Sequence, residues 1–266
     1  MDLGLSGKVA IVTGGSRGLG KASAMALAAE GAELVIAARD ETTLRAAARE
    51  IEAIQGPAER TVLAVPTDVT SEEDVDRLIE AAMEKYSRVD VLVANAGGPP
   101  ASHFETTDVA AWKSAIELSL LSTIYLCRAV VPVMKRQGSG RIVAITSISA
   151  KQPVDGLILS NTARAGVVGM MKTLSNELAP EGIGVNVVCP GYTRTDRLVD
   201  LASRMSKQEG VSEEAIQKRW TDQIPMGRLG EPSELAAVVA FLSSQCASYV
   251  TGTCVQVDGG AVRSVY

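Results

Sequence analysis

The stretch VTGGSRGLG, residues 12–20, decides how the rest of the chain reads. It closes the β-branched run KVAIVT (8–13) and opens a segment of helical composition, KASAMALAAEGA (21–32). Gly14, Gly18 and Gly20 permit a tight turn and a close backbone approach to a bound group, and the following helix would aim its first amides at an anion. The spacing G-x-x-x-G-x-G is not the G-x-G-x-x-G of many dinucleotide-binding turns, and the same residues would also serve an ordinary glycine-rich turn. Their position at the first strand-to-helix junction, with Ser16, Arg17 and Leu19 between them, favours a phosphate site.

Six further short apolar runs read as buried strands: ELVIAA (33–38), TVLAVP (61–66), VDVLVAN (89–95), GRIVAIT (140–146), GVNVVC (184–189) and CVQV (254–257). Between them, Leu44, Ala47, Ile51 and Ile54 share one helical face, as do Val75, Leu78, Ile79, Ala82 and Tyr86 behind the N-cap Ser71. Strand followed by helix, repeated, predicts a single-domain, Rossmann-like, doubly wound α/β fold over residues 1–266, its seven parallel strands covered by helices on both faces. No repeat or domain linker interrupts it. The least regular segments are 97–107 and 192–230, and the second is long enough to be a substrate lid.

Composition narrows the function. A net charge of −5 and a pI near 5.1 disfavour nucleic acid and anionic membrane as partners. No apolar run approaches the roughly 18 residues of a spanning helix, and no signal peptide is evident, so a soluble cytoplasmic protein is expected. Cys127, Cys189, Cys246 and Cys254 lack metal-type spacing, and His103 has no ligand partner in sequence. Reduced, buried thiols and no metal are the expectation.

The second strand bears on the cofactor. It ends IAARDE, with Arg39 about where an adenosine 2′ group would fall, so Arg39 and Arg17 suit a 2′-phosphate. NADP(H) is therefore expected over NAD(H), for which the adjacent Asp40 would be the ribose ligand.

With TGGSRGLG, TDVT (67–70), NAG (95–97), PGYTRT (190–195) and DGG (258–260) in this order, the chain resembles the short-chain dehydrogenase/reductases, among them 3-oxoacyl-carrier-protein reductases, over nearly its full length. The resemblance implies strand order 3-2-1-4-5-6-7, a homotetramer or homodimer, and an oxidoreductase acting on a small carbonyl or alcohol. It also implies that Asp68 and Val69 meet the adenine, that Asn95, Ala96 and Gly97 floor the ribose site, and that Pro190, Gly191 and Thr193 meet the nicotinamide carboxamide. These positions follow predicted strand ends, where open α/β sheets bind ligands.

The family's proton-transfer set is Ser, Tyr, Lys and Asn. Here the Ser is Ser147, but the Tyr and Lys positions hold Ser160 and Arg164, and the Asn position holds Ser119. No Tyr lies between Ser147 and Arg164. A serine is a weaker acid and shorter than a phenol, while a guanidinium keeps charge and suits a ribose diol but is expected not to titrate. Two substitutes for the phenol are Tyr192, which otherwise packs in the substrate pocket, and a water held by Ser147, Ser160 and Ser119 and fed by Asp155. The alternative is a cofactor-binding protein impaired in catalysis and acting through nucleotide binding or assembly.

Overall fold

In the computed structural model, which describes residues 1–54 and 61–265, the seven expected strands form one sheet. They are β1 (Val9–Thr13), β2 (Glu33–Ala38), β3 (Leu63–Pro66), β4 (Val91–Ala94), β5 (Gly140–Ile145), β6 (Ile183–Pro190) and β7 (Cys254–Val257). Every pairing is parallel and the order is β3-β2-β1-β4-β5-β6-β7. Several strands begin or end one or two residues from the apolar runs, because hydrogen-bonded pairing with a neighbour, and not apolarity, terminates a strand.

The helices are α1 (Gly18–Ala29), α2 (Glu41–Glu52), α3 (Glu72–Tyr86), α4 (Val109–Ile116), α5 (Ser122–Gln137), α6 (Ile158–Leu178), α7 (Asp196–Glu209), α8 (Glu213–Thr221) and α9 (Pro232–Leu242). One face of the sheet packs on α3, α5 and α6 through residues such as Leu78, Val130 and Met171. The other packs on α1, α2 and α9 through Leu27, Leu44 and Val239. Ile54, expected on the buried face of α2, lies past the end of that helix and is exposed.

Two further sequence expectations need correction. The joined helices Val109–Gln137 span 29 residues and are long and apolar enough to cross a membrane by length and composition. Its inner face is nonetheless core, with Leu126, Val130, Val133 and Met134 against the sheet. The thiols are not uniformly buried either: Cys127 and Cys189 are, Cys254 is half-buried and Cys246 is exposed, because it sits on a short turn near the N-terminus, against the Asp2 carbonyl.

At the amino ends of the strands, away from the motifs, Asp90 ties β1 to β4. Its carboxylate accepts from the Val9 amide at 2.9 Å and from Arg88 Nε at 2.7 Å. Burial pushes its pKa up, but the Arg88 hydrogen bonds, the Val9 amide and the charges of Arg88 and Lys8 hold it below the ordinary carboxylate value.

Candidate active site

The carboxyl end of β1 makes the anion cradle. Gly14 and Gly18 adopt positive φ (59° and 56°), the left-handed region where glycine is at no disadvantage. A Cβ on Gly20 would strike the Gly14 carbonyl, and one on Gly14 would meet Asn95 Nδ2. Arg17 occupies the N-cap of α1 with no side-chain cap, and no acid stands in the first turn, so the amide end of the helix faces outward with its positive field uncompensated. Asn95 is stitched beneath this turn: its amide donates to Thr13 Oγ1 at 2.9 Å, and Thr13 Oγ1 donates to its carbonyl at 2.8 Å.

Arg39 is exposed at the end of β2. Its neighbour Asp40 is engaged as the N-cap of α2, accepting from the Thr43 amide at 2.8 Å. That hydrogen bond, helped by the hydroxyl of Thr43 and the charge of Arg17, lowers the Asp40 pKa. Arg17 thus lies close enough to feel the end of β2, and two cations share this corner with a carboxylate already in use. Asp68, after β3, accepts the amide and hydroxyl of Thr70 at 3.0 and 2.8 Å, and Val69 packs on the core.

At the other end of the cleft, Ser147 follows β5 half-buried, and its Oγ accepts from the Ser149 amide at 3.1 Å. Ser160, in the first turn of α6, is buried and shares a hydrogen bond with Ser149 Oγ at 3.2 Å. Ser149 has no counterpart in the sequence-derived set; only its place two residues after Ser147 hinted at it. Ser119 lies in a π-helical turn, Glu117–Leu121, between α4 and α5, a feature common at functional sites. Its hydroxyl is buried without a hydrogen-bond partner among the described residues.

Arg164 joins the two ends. One turn along α6 from Ser160, it is 9% exposed and donates to the Ile145 carbonyl at 3.4 Å and to the Gly97 carbonyl at 3.2 Å. No carboxylate forms an ion pair with it among the described residues. Burial, reinforced by the charge of Arg197 and opposed by Cys189, lowers its pKa to about 10. Even so lowered, the guanidinium stays protonated at neutral pH.

Pro190 closes β6. Gly191 abuts Asp258, where a Cβ would approach the Asp258 Cα to 2.8 Å, and Thr193 is buried with its Oγ1 donating to the Gly191 carbonyl at 3.3 Å. Tyr192 turns into the 192–230 segment: its ring stacks on Trp220 with centroids 5.5 Å apart and planes 12° from parallel. Burial raises its pKa. This segment has its own small core of Ala202, Ile216, Trp220, Ile224 and Leu229. Asp155 is exposed on the loop before α6.

Under Ser147 lies a thiol pair missed in the sequence, because only strand register brings it together. Cys189 Sγ is 3.1 Å from Cys254 Sγ and 3.1 Å from Thr146 Oγ1. The Cys254 hydrogen bond, with those from Thr146 and the Ser147 amide, outweighs burial and lowers the Cys189 pKa to about 7.

A family profile described as Enoyl-(Acyl carrier protein) reductase matches residues 14–262. The chain is 38% identical to a 3-oxoacyl-[acyl-carrier-protein] reductase of Synechocystis sp. over 260 residues, covering 97% of this chain and 98% of the relative. It superimposes on L-sorbose reductase of Gluconobacter frateurii, solved with NADPH and L-sorbose, at TM-score 0.94 and 34% identity, with both chains fully covered. A 7α-hydroxysteroid dehydrogenase solved with NADH and a 7-oxo bile acid superimposes at TM-score 0.89 and 30% identity, over all of this chain and 98% of that one.

Proposed function

Because the chain belongs to the short-chain dehydrogenase/reductase family of oxidoreductases, we propose that it interconverts a small-molecule carbonyl and the corresponding alcohol with NADP(H), using Ser147 and Arg164 in a site that lacks the family's phenol. The observation that carries this reading is Arg164, a buried cation bridging the ribose floor at Gly97 to the chemical end at Ile145. Since relatives are solved with either NADPH or NADH, the cofactor reading rests on Arg39 and Arg17 and on the engagement of Asp40 as a helix cap.

The residues fit a dinucleotide: Gly14 and Gly20 leave a backbone cradle that side chains would fill, and α1 offers an uncapped amide end. When bound, NADP(H) supplies or accepts the hydride. Ser16, Arg17, Gly18, Leu19 and Gly20 bind its phosphates, Arg39 its 2′-phosphate, and Asp68 with Val69 its adenine. Asn95, Ala96 and Gly97 line the ribose, to whose diol Arg164 donates. Pro190, Gly191 and Thr193 orient the carboxamide. Ser147 Oγ donates to the substrate oxygen, and the positive charge of Arg164 stabilises the developing alkoxide. Ser160 and Ser149 hold the proton path, with Ser119 completing it. The Tyr192–Trp220 stack supports a reading in which Tyr192 walls a lid formed by residues 192–230 and takes no part in proton transfer. The partly covered apolar helix Val109–Gln137 suits assembly as a homotetramer or homodimer, and the free thiols suit the cytoplasm.

The test is direct. NADPH fluorescence should shift on binding, and a panel of activated carbonyls should then consume the NADPH. The serine at position 160, where the family keeps its phenol, favours a second reading, a nucleotide-binding protein without turnover. Binding with no consumption across the panel would select that reading.

A further inference from the structure

Arg197, at the start of α7, crosses the cleft. Its Nη2 donates to the Pro99 carbonyl at 3.1 Å, and its guanidinium covers Gly98 so closely that a Cβ there would collide with it. Two residues away, the Gly97 carbonyl accepts from Arg164. Two guanidinium groups therefore converge on one turn, near enough that the charge of Arg197 bears on Arg164. Among the described residues no carboxylate forms an ion pair with either.

Arg164 is buried and Arg197 is exposed beside it, and a buried cation with a like charge near it and no counter-ion is costly. An anion entering from solvent at the exposed Arg197 would complete the pair. The cofactor's phosphates already have the Gly14–Gly20 turn, toward which Thr195 packs at Gly18. Arg197 makes its contacts at Gly98 and Pro99, next to the Gly97 carbonyl that accepts from Arg164, and Arg164 reaches back to Ile145 near Ser147. Each guanidinium has five donors, and Arg164 spends two of its own on carbonyls.

We infer that the substrate is an acid, a short oxo acid or the hydroxy acid interconverted with it, its carboxylate held between Arg164 and Arg197. This rests on the oxidoreductase reading above and names its substrate class. Reduction takes one hydride from NADPH to the carbonyl carbon and one proton to its oxygen; the carboxylate is unchanged. Arg197 thereby sets specificity.

The experiment compares 2-oxobutyrate with its neutral methyl ester on the full-length protein with NADPH. The ratio of kcat/KM, acid over ester, is measured in wild type, Arg197→Met and Arg197→Lys, so that intrinsic reactivity cancels between variants. Arg197→Met should lower the ratio about tenfold to a hundredfold, the loss expected for a charge-assisted pair, and Arg197→Lys should restore part of it. The Kd for NADPH should move less than threefold. An unchanged ratio overturns the proposal, and a tenfold loss of NADPH affinity alone would assign Arg197 to the cofactor's phosphates. If neither compound turns over, calorimetry with malonate on the NADP+ complex separates the two ideas. Malonate binding abolished by Arg197→Met keeps the anion site while the hydride-transfer reading falls; no binding to wild type removes the site. Arg197→Gln replaces Arg197→Met should the latter fail to fold.

Discussion

A buried arginine with no counter-ion trades stability for binding. Removing the charge of Arg164 while keeping apolar bulk, as in Arg164→Met, should leave the ligand-free chain at least as stable, by about 1 kcal/mol in Tm-derived free energy, because an uncompensated buried cation is lost. The same change should weaken NADPH binding about tenfold or more, measured by fluorescence titration. A folded pKa of about 10, below the ordinary arginine value, means the cost of this cation is fully present at neutral pH and is relieved only as pH rises through about 10. At the neighbouring position, Ser160→Tyr combined with Arg164→Lys restores a phenol beside an amine. Turnover of an activated ketone should rise about a hundredfold, the usual contribution of a placed general acid. Unchanged turnover would mean that the pocket has lost more than the phenol. Both positions were legible in sequence, since they fall in step with motifs on either side. Their hydrogen bonds were not, because Ser149, Ile145 and Gly97 reach them only through the packing of α6 on the sheet.

Among the elements, the β1–α1 turn carries the tightest steric requirement. Gly20 lies against the Gly14 carbonyl group, whose carbon would stand 2.7 Å from an added Cβ. Gly20→Ala must therefore displace the turn, and we expect a loss of about 2 kcal/mol in denaturant unfolding together with weakened NADPH binding. Sequence spacing identified this turn because its requirement is local. The 192–230 segment is the opposite case. Its irregular composition marks it as unlike the rest of the chain, but the small core around Trp220 and the packing of Tyr192 against it follow from how α7 and α8 fold against each other. Arg197 was passed over for the same reason: next to the PGYTRT motif it reads as one more surface cation, and only the return of α7 across the cleft brings it to Pro99.

For the molecule as a whole, acid sensitivity should centre on Asp90. Its folded pKa is depressed, so its contribution is present above the unfolded value of about 3.9 and is lost as pH falls through the folded value. Asp90→Asn should cost about 2 kcal/mol at pH 7, the scale of hydrogen bonds to a charged group, and should flatten the fall in stability on acidification. Urea unfolding at a series of pH values checks both; equal slopes for the two proteins would remove Asp90 from the account. The sequence by itself determined the seven strands, the parallel α/β class and the glycine turn after β1, because period, β-branching and glycine requirements act over a few residues. Tertiary structure alone decided the Asp90 tie, the Cys189–Cys254 contact and the convergence of Arg164 with Arg197. Each joins residues from different elements, and a contact of that kind is set by strand register and helix packing, which no local pattern encodes.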